Sequence, residues 1–464
     1  MPVGLVGGET SPAMYTCAHR ARVGRPGYKG GNVPALHLSR FSSLRAFGHR
    51  DFVHVWSGAL VSNIGTWMET LALGVFVTTV TGRAEATGGI AALTFLPGVL
   101  LSPVSGALAD RFDRRTFVAT GMLAQAVLAA ILTLLAFTGR LTVPAVAVLS
   151  LLNGCASSLV NPAFSALISR SVPAEDLHSA FSLNSAQFNL GRIIGPALGA
   201  AVLATHGIAW TLAVNSLSFV AVLWALWRVR PQPPAARERR EPLWTGIVRG
   251  ARVAREDPSL WMMLLATLAV SALVSPFIGL VPVFAIRVFH EGAAATSMLV
   301  GSQGMGAVIA AVLVGPLVAR FGRRRLLEAC LVFIGPMAAV YWMAPTLHTA
   351  ALALVGLGAL YMGTLTSLNT ACQLRVPAEL QGRLSGIYSM MIAVGYAGGV
   401  WMQGALADRV GVRLITAGCA LLFLALVLTQ RLLRPEAFAA TEARREPALV
   451  AAPAASPHLD GGEF

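Results

Sequence analysis

Long stretches without a single charge recur along this chain, and that pattern leaves few folds open to it. A helix that crosses a bilayer needs about 20 mainly apolar residues. The runs between Glu85 and Asp110, Arg115 and Arg140, Arg140 and Arg170, Asp257 and Arg287, and Glu291 and Arg320 are each long enough for one such helix. Two longer runs fold back once: Arg192 to Arg228, which follows a partly apolar stretch from Ser179 and contains His206-Gly207, and Glu328 to Arg375, which contains Pro345 and His348. Phe52 to Thr79, Leu384 to Asp408 and Leu414 to Arg431 complete a predicted set of twelve. The chain is 55% hydrophobic and 12% charged, against about 25% charged for a soluble domain.

The formal charge is +14, which on its own would suggest a nucleic-acid partner. The placement of the basic residues argues against that. With the amino terminus inside, 29 of the 35 Lys and Arg fall in the termini and in alternate loops on the cytoplasmic side. Arg83, Arg140, Arg287, Arg409 and Arg413 fall outside, and Arg192 lies within a helix. Such asymmetry orients membrane proteins, so both termini are expected in the cytoplasm. The five cysteines show neither paired nor metal-type spacing, and four of them sit in apolar helices as small hydrophobes. The histidines form no cluster, so no metal and no cofactor is expected.

The chain divides into an arm (1–45), a six-helix half (46–227), a linker (228–258), a second six-helix half (259–434) and a tail (435–464). The arm is basic and rich in Gly, Pro and Ser without the apolar core of a signal peptide, and arm and tail both read as disordered. Within the linker, Pro242 to Arg255 sets Leu243, Trp244, Ile247 and Val248 against Arg249, Arg252 and Arg255. That pattern suits a basic amphipathic helix on the inner leaflet, with a solvated linker as the alternative. The halves repeat. Val172-Pro-Ala-Glu-Asp-Leu returns as Val376-Pro-Ala-Glu-Leu, and Gly106-Ala-Leu-Ala-Asp-Arg-Phe-Asp-Arg-Arg returns as Gly315-Pro-Leu-Val-Ala-Arg-Phe-Gly-Arg-Arg. The expected fold is therefore an all-α membrane protein of twelve transmembrane helices in two parallel six-helix halves, with a substrate path between them. A further Gly-Ala-Leu-Ala-Asp-Arg at Gly404 to Arg409 falls out of register with this repeat and reads as coincidence.

Two charges lie within predicted helices, Glu69 in the first and Arg192 in the fifth. A charge at bilayer depth normally faces a cavity or a partner. Glu69 is thus a candidate proton carrier with Arg192 tuning it. The alternatives are that Arg192 only clamps helices, or that Glu69 sits in water at the outer interface. Asn63, Trp67, Asn161, Asn184, Gln187, Gln303 and Asn369 are candidate cavity residues. Phe95, Phe188, Phe277, Tyr361 and Tyr396 are among the aromatics able to line an apolar, drug-sized pocket. No Gly-Lys-Ser/Thr loop is present to cradle a nucleotide phosphate, so ATP-driven pumping is not expected.

The Gly106–Arg115 segment resembles the signature loop of the major facilitator superfamily, with Asp113 in place of a second glycine. Its Gly106, Asp110, Arg111, Arg114 and Arg115 are expected to form a gating latch. In it Asp110 faces the positive amino terminus of the eleventh helix, which opens at Pro377. Gly191-Arg-Ile-Ile-Gly195-Pro196-Ala-Leu-Gly199 resembles the fifth-helix motif of antiporters in that superfamily, with Ala200 where a further glycine is usual. From Phe47 to about Arg434 the order of motifs looks like the branch holding enterobactin exporters and macrolide-efflux proteins. The matching pieces include Gly65-Thr-Trp-Met, Phe95-Leu-Pro, Asn161-Pro-Ala and Gly382-Arg-Leu-Ser-Gly. The resemblance implies a monomeric, non-enzymatic secondary transporter in the plasma membrane, exporting an amphiphilic small molecule against proton entry. A uniporter or importer of a small nutrient, and a non-transporting scaffold or sensor, are the other readings.

Overall fold

The computed structural model describes residues 42–109, 113–229, 255–376 and 378–433, together with residue 252. Among them the regular structure is helical, with no strand. The helices are α1 (Arg50–Thr81), α2 (Ala84–Ala109), α3 (Arg114–Phe137), α4 (Val143–Arg170), α5 (Leu177–His206) and α6 (Ile208–Arg228). They continue as α7a (Pro258–Leu273), α7b (Val281–Val288), α8 (Ala293–Phe321), α9 (Arg323–Met343), α10 (Leu347–Leu374), α11 (Ala378–Val410) and α12 (Val412–Leu433). Ten stretches among the described residues are long and apolar enough to cross a membrane, and one of them, Ala174–Arg228, holds both α5 and α6. With α2, 26 residues long, the predicted set of twelve crossings is present, α7a and α7b forming the seventh. Residues 230–251, which include most of the predicted amphipathic helix, and residues 434–464 lie outside the described residues.

The helix ends show why the runs stop where they do. In lipid, an unmet backbone group costs several kcal/mol, so end groups need partners. Asp113 caps α3, accepting from the Thr116 N–H at 2.8 Å. Thr142 caps α4, with Pro144 in its first turn, and Thr346 and Thr349 form a reciprocal capping box at α10. Gly82 closes α1 at a φ of 62°, a left-handed conformation that glycine adopts without strain. Asp257 caps α7a through the N–H groups of Ser259 and Leu260 at 3.0 and 3.3 Å. The same carboxylate receives Arg375 Nε and Nη2 at 2.8 and 3.2 Å. Burial alone would raise this carboxyl, but Arg375 and the two backbone donors outweigh it and hold Asp257 below the usual carboxylate range.

In the first six helices, α1 packs on α5 and α6, α2 on α4, and α3 on α4 and α6. In the last six, α8 packs on α10, α9 on α10 and α12, and α7a on α11. The two groups meet along α2–α11 and α5–α8. These pairs exchange under a six-helix shift, as a duplicated chain requires. One continuous core of buried side chains runs through the second group and takes in Ala84 from α2. Ser42–Gly48, a short 3-10 helix ahead of α1, is tied to the start of α5 by the Ala46 N–H, which donates to Ser179 Oγ at 3.1 Å.

Candidate functional site

Glycines bring α5 onto α1. A Cβ at Gly191 would stand 3.0 Å from Asn63 Cβ, one at Gly195 2.6 Å from the Ile64 oxygen, and one at Gly199 3.0 Å from Met68 Cα. Small residues four apart give a helix one flat face for such an approach, and this one seats α5 along the Asn63–Met68 stretch. Pro196 lies buried within the same helix. The close fit places Arg192 beside Trp67, with the guanidinium carbon 5.3 Å from the ring centroid. Trp67 in turn meets Phe188 edge to face at 5.9 Å.

Around this corner the second half contributes its own aromatics. Tyr361 of α10 packs against Phe277 at 5.4 Å, in the break between α7a and α7b. Tyr396 of α11 packs against Phe95 of α2 at 4.8 Å. Both tyrosines lie within electrostatic reach of Arg192. The structure thus gathers five of the aromatics singled out from the sequence, on α1, α2, α5, α10 and α11, about one buried guanidinium. A separate apolar cavity of about 380 Å³ between α7a, α9, α10 and α12 contains none of these residues, and among the described residues Gln430 is the only hydrogen-bonding side chain that lines it.

Glu69 turns elsewhere. It is 8% exposed and accepts a hydrogen bond from Asn215 Nδ2 of α6 at 2.5 Å. Gly65, one turn earlier, admits this contact, since a Cβ there would collide with Ser218 and Asn215. Glu69 therefore engages α6 while Arg192 engages Trp67, and no ion pair links the two among the described residues. The sequence reading missed Asn215, although an Asn in an apolar run is itself a signal. Gln187 and Gln303 are buried, with Nε2 lacking a hydrogen-bond partner among the described residues. Asn63 and Asn184 are half-buried and Asn161 is exposed. Asn369 accepts from Gln373 at 3.0 Å.

Of the predicted latch, Gly106 falls in the last turns of α2, while Asp110 and Arg111, like Pro377 at the start of α11, lie outside the described residues. Arg114 is buried at the first turn of α3. Arg115 donates to the Trp227 carbonyl at the end of α6 at 3.0 Å, where the helix dipole favours a cation.

The opposite ends of the same helices are joined through Gly404 to Arg409, the out-of-register match to the loop sequence. Asp408, in the last turn of α11, accepts from the N–H groups of Ala84 and Glu85 at 2.9 Å each, and so caps α2. Arg287, from the end of α7b, donates to the same carboxylate, and Arg83 Nε stands 4.0 Å from it. Gly404 and Gly88 let the backbones touch. A Cβ at Gly404 would sit 2.7 Å from the Ala84 oxygen, and one at Gly88 2.5 Å from the Val400 oxygen. The Gly404–Arg409 copy thus closes one end of the α2–α11 pair by the chemistry predicted for Asp110 at the other.

Comparison with known proteins fits this architecture. The family model described as transmembrane secretion effector matches residues 41–456. Macrolide efflux protein A of Streptococcus pyogenes is 24% identical over 373 residues, covering 78% of this chain and 90% of its own. Enterobactin exporter EntS of Citrobacter koseri is 27% identical over 382 residues, covering 80% and 84%. Among solved structures, a bacterial homolog to the human lysosomal transporter Spinster superposes with a TM-score of 0.67 at 14% identity, covering 86% of this chain and 99% of that one. The nucleoside transporter NupG superposes at 0.63 and 13%, covering 82% and 98%. At these identities the structural likeness speaks for the fold alone.

Proposed function

We propose, because the chain belongs to the transmembrane secretion effector family of the major facilitator superfamily, that it carries an amphiphilic small molecule out of the cell in exchange for protons. Members of that family are multi-pass membrane transporters and not enzymes. Export is favoured by the names of its relatives, an efflux protein and an exporter. It is also favoured by the Gly191, Gly195, Pro196 and Gly199 pattern that seats α5 on α1. The aromatic corner at Trp67 lies where the two halves meet, the place for a substrate in a fold of parallel repeats. Asn63, Asn161, Asn184, Gln187, Gln303 and Asn369 are the polar side chains of the substrate path in this reading. The loop of Gly106, Asp110, Arg111, Arg114 and Arg115 latches the inner end.

The observation that carries proton coupling is Glu69, a carboxylate buried within a spanning helix and hydrogen-bonded to Asn215. A group in that position loads and releases a proton as its access to water changes. In inverted vesicles, an imposed pH gradient is expected to drive substrate accumulation by the unmodified chain. Glu69→Gln should abolish that accumulation and leave downhill exchange intact. Undiminished accumulation in Glu69→Gln would remove Glu69 from the mechanism.

The arginine asymmetry supports cytoplasmic termini. In a cysteine-free background, Arg140→Cys is expected to react with an impermeant thiol reagent on intact cells, and Glu175→Cys only after permeabilisation. Both positions are exposed, and the reverse pattern would invert the orientation.

A further inference from the structure

We propose that the guanidinium of Arg192 is the anion-binding element of the substrate site, so that the molecules carried are amphiphiles bearing a carboxylate, phosphate, sulfonate or ionised phenol beside an apolar ring system. This rests on the export reading and names the substrate class of the same site.

The other arginines of the chain show what a purely structural guanidinium does here. Arg375 spends two donors on Asp257, Arg115 donates to the carbonyl that ends α6, and Arg413 donates to the Ala344 carbonyl at 2.9 Å. Arg192 is 6% exposed, yet its Nε and Nη2 have no hydrogen-bond partner among the described residues. No carboxylate pairs with it among the described residues. Glu69, the acid buried in α1, is held by Asn215 on the other side of that helix. What Arg192 touches instead is the face of Trp67, which leaves its in-plane donors free. A guanidinium presents those donors in a fork that matches the two oxygens of a carboxylate or phosphate. A buried cation left without such a partner is costly, and an anionic ligand removes that cost.

The surroundings supply the rest of the recognition. Phe181, Ser185, Phe188 and Arg192 follow one another at intervals of four, three and four, so they share one face of α5. Phe181 and Phe188 are 45% and 46% exposed while Arg192 is buried, so the cation lies at the closed end of an open aromatic strip. A ligand that slides its rings along this strip brings an acidic group to the guanidinium. A cationic amphiphile of the same shape meets an uncompensated like charge instead.

Fluorescein and rhodamine 123 share a xanthene skeleton and differ in charge, so they separate ring recognition from charge recognition. Fluorescence polarisation on the purified full-length chain is expected to show fluorescein bound at least tenfold more tightly than rhodamine 123. Arg192→Gln should erase that ratio through a tenfold or greater loss for fluorescein, with rhodamine 123 unchanged or tighter. Arg192→Lys should keep part of the preference. A melting midpoint within a few degrees of the parent confirms that each variant is folded, a role in helix clamping alone being expected to lower it and leave the ratio untouched. An unchanged ratio in Arg192→Gln, a preference for rhodamine 123, or no binding of fluorescein by the parent overturns the anion site. Binding is read without a gradient. A chain that binds in the expected pattern but moves nothing in vesicles therefore sinks the export reading alone.

Discussion

Asp408→Ala is expected to open the Asp408 end of the transporter. The substitution strips the cap from Ala84 and Glu85, removes the partner of Arg287, and touches no residue of the aromatic corner. A hydrogen bond to a charged group contributes about 1.5–3 kcal/mol. Asp408 is 17% exposed, so solvent replaces part of what is lost, and the net is about 3 kcal/mol. That corresponds to a shift of roughly a hundredfold between closed and open populations at this end. Ala92, which packs from α2 against the core of the second half, is a suitable reporter. In a cysteine-free background, Ala92→Cys should react with an impermeant maleimide at least tenfold faster when combined with Asp408→Ala. Equal rates would show that Asp408 is no latch. Transport should fall as well, because a carrier held open at one end completes its cycle slowly.

Gly306→Ala should cost about as much as deleting a large buried side chain. A Cβ at Gly306 would stand 2.0 Å from the Val355 oxygen and 2.8 Å from the Ala359 nitrogen, both backbone atoms of α10. No rotamer relieves such a contact, so α8 and α10 must part along their length. Overpacking usually costs about 1–3 kcal/mol, and a backbone-on-backbone clash belongs at about 3 kcal/mol. The melting midpoint in detergent should drop by many degrees, with a loss of monodisperse protein. Gly301→Ala, on the same helix with nothing among the described residues within 4 Å of its Cβ, is the control and should melt like the parent. Equal behaviour of the two variants would contradict the packing.

The crossings were readable because lipid tolerates only a self-satisfied backbone, which makes length and apolarity sufficient signals. The glycine ladder of α5 and the twofold recurrence of motifs were readable for a similar reason, since both are local in sequence. The partners were not. Asn215 reaches Glu69 across 146 positions, and nothing near either residue announces the other. Asp408 is more instructive. Its hexapeptide matches the one at Gly106, but it sits at the wrong place in the repeat, so register logic discards it. Its role follows from α2 and α11 running antiparallel, with the first residues of one beside the last of the other, and only the packed helices reveal that. The break in the seventh crossing leaves no mark in the charge pattern either, because Ser275-Pro276-Phe277 lies inside an uninterrupted apolar run.

That break bears on how the chain is made. During synthesis the seventh crossing enters the bilayer before α10 and α11, which pack on it, exist. At 16 residues α7a falls short of the roughly 20 a span needs, so α7a and α7b must insert as one unit with the interruption at lipid depth. Two features make this feasible. The interruption carries its own bonds: Ile278 N–H to Ser275 O at 2.9 Å, Leu280 N–H to Pro276 O at 3.0 Å, and Ser275 Oγ to Ser271 O at 2.6 Å. An 18-residue stretch within Pro258–Val288 has a mean hydropathy of 2.2, a value reached among the other candidate crossings only in Val412–Leu433. The segment is therefore apolar enough for the insertion machinery to release it sideways with its bend already set, and α10 and α11 later close on a shape that was present from the start.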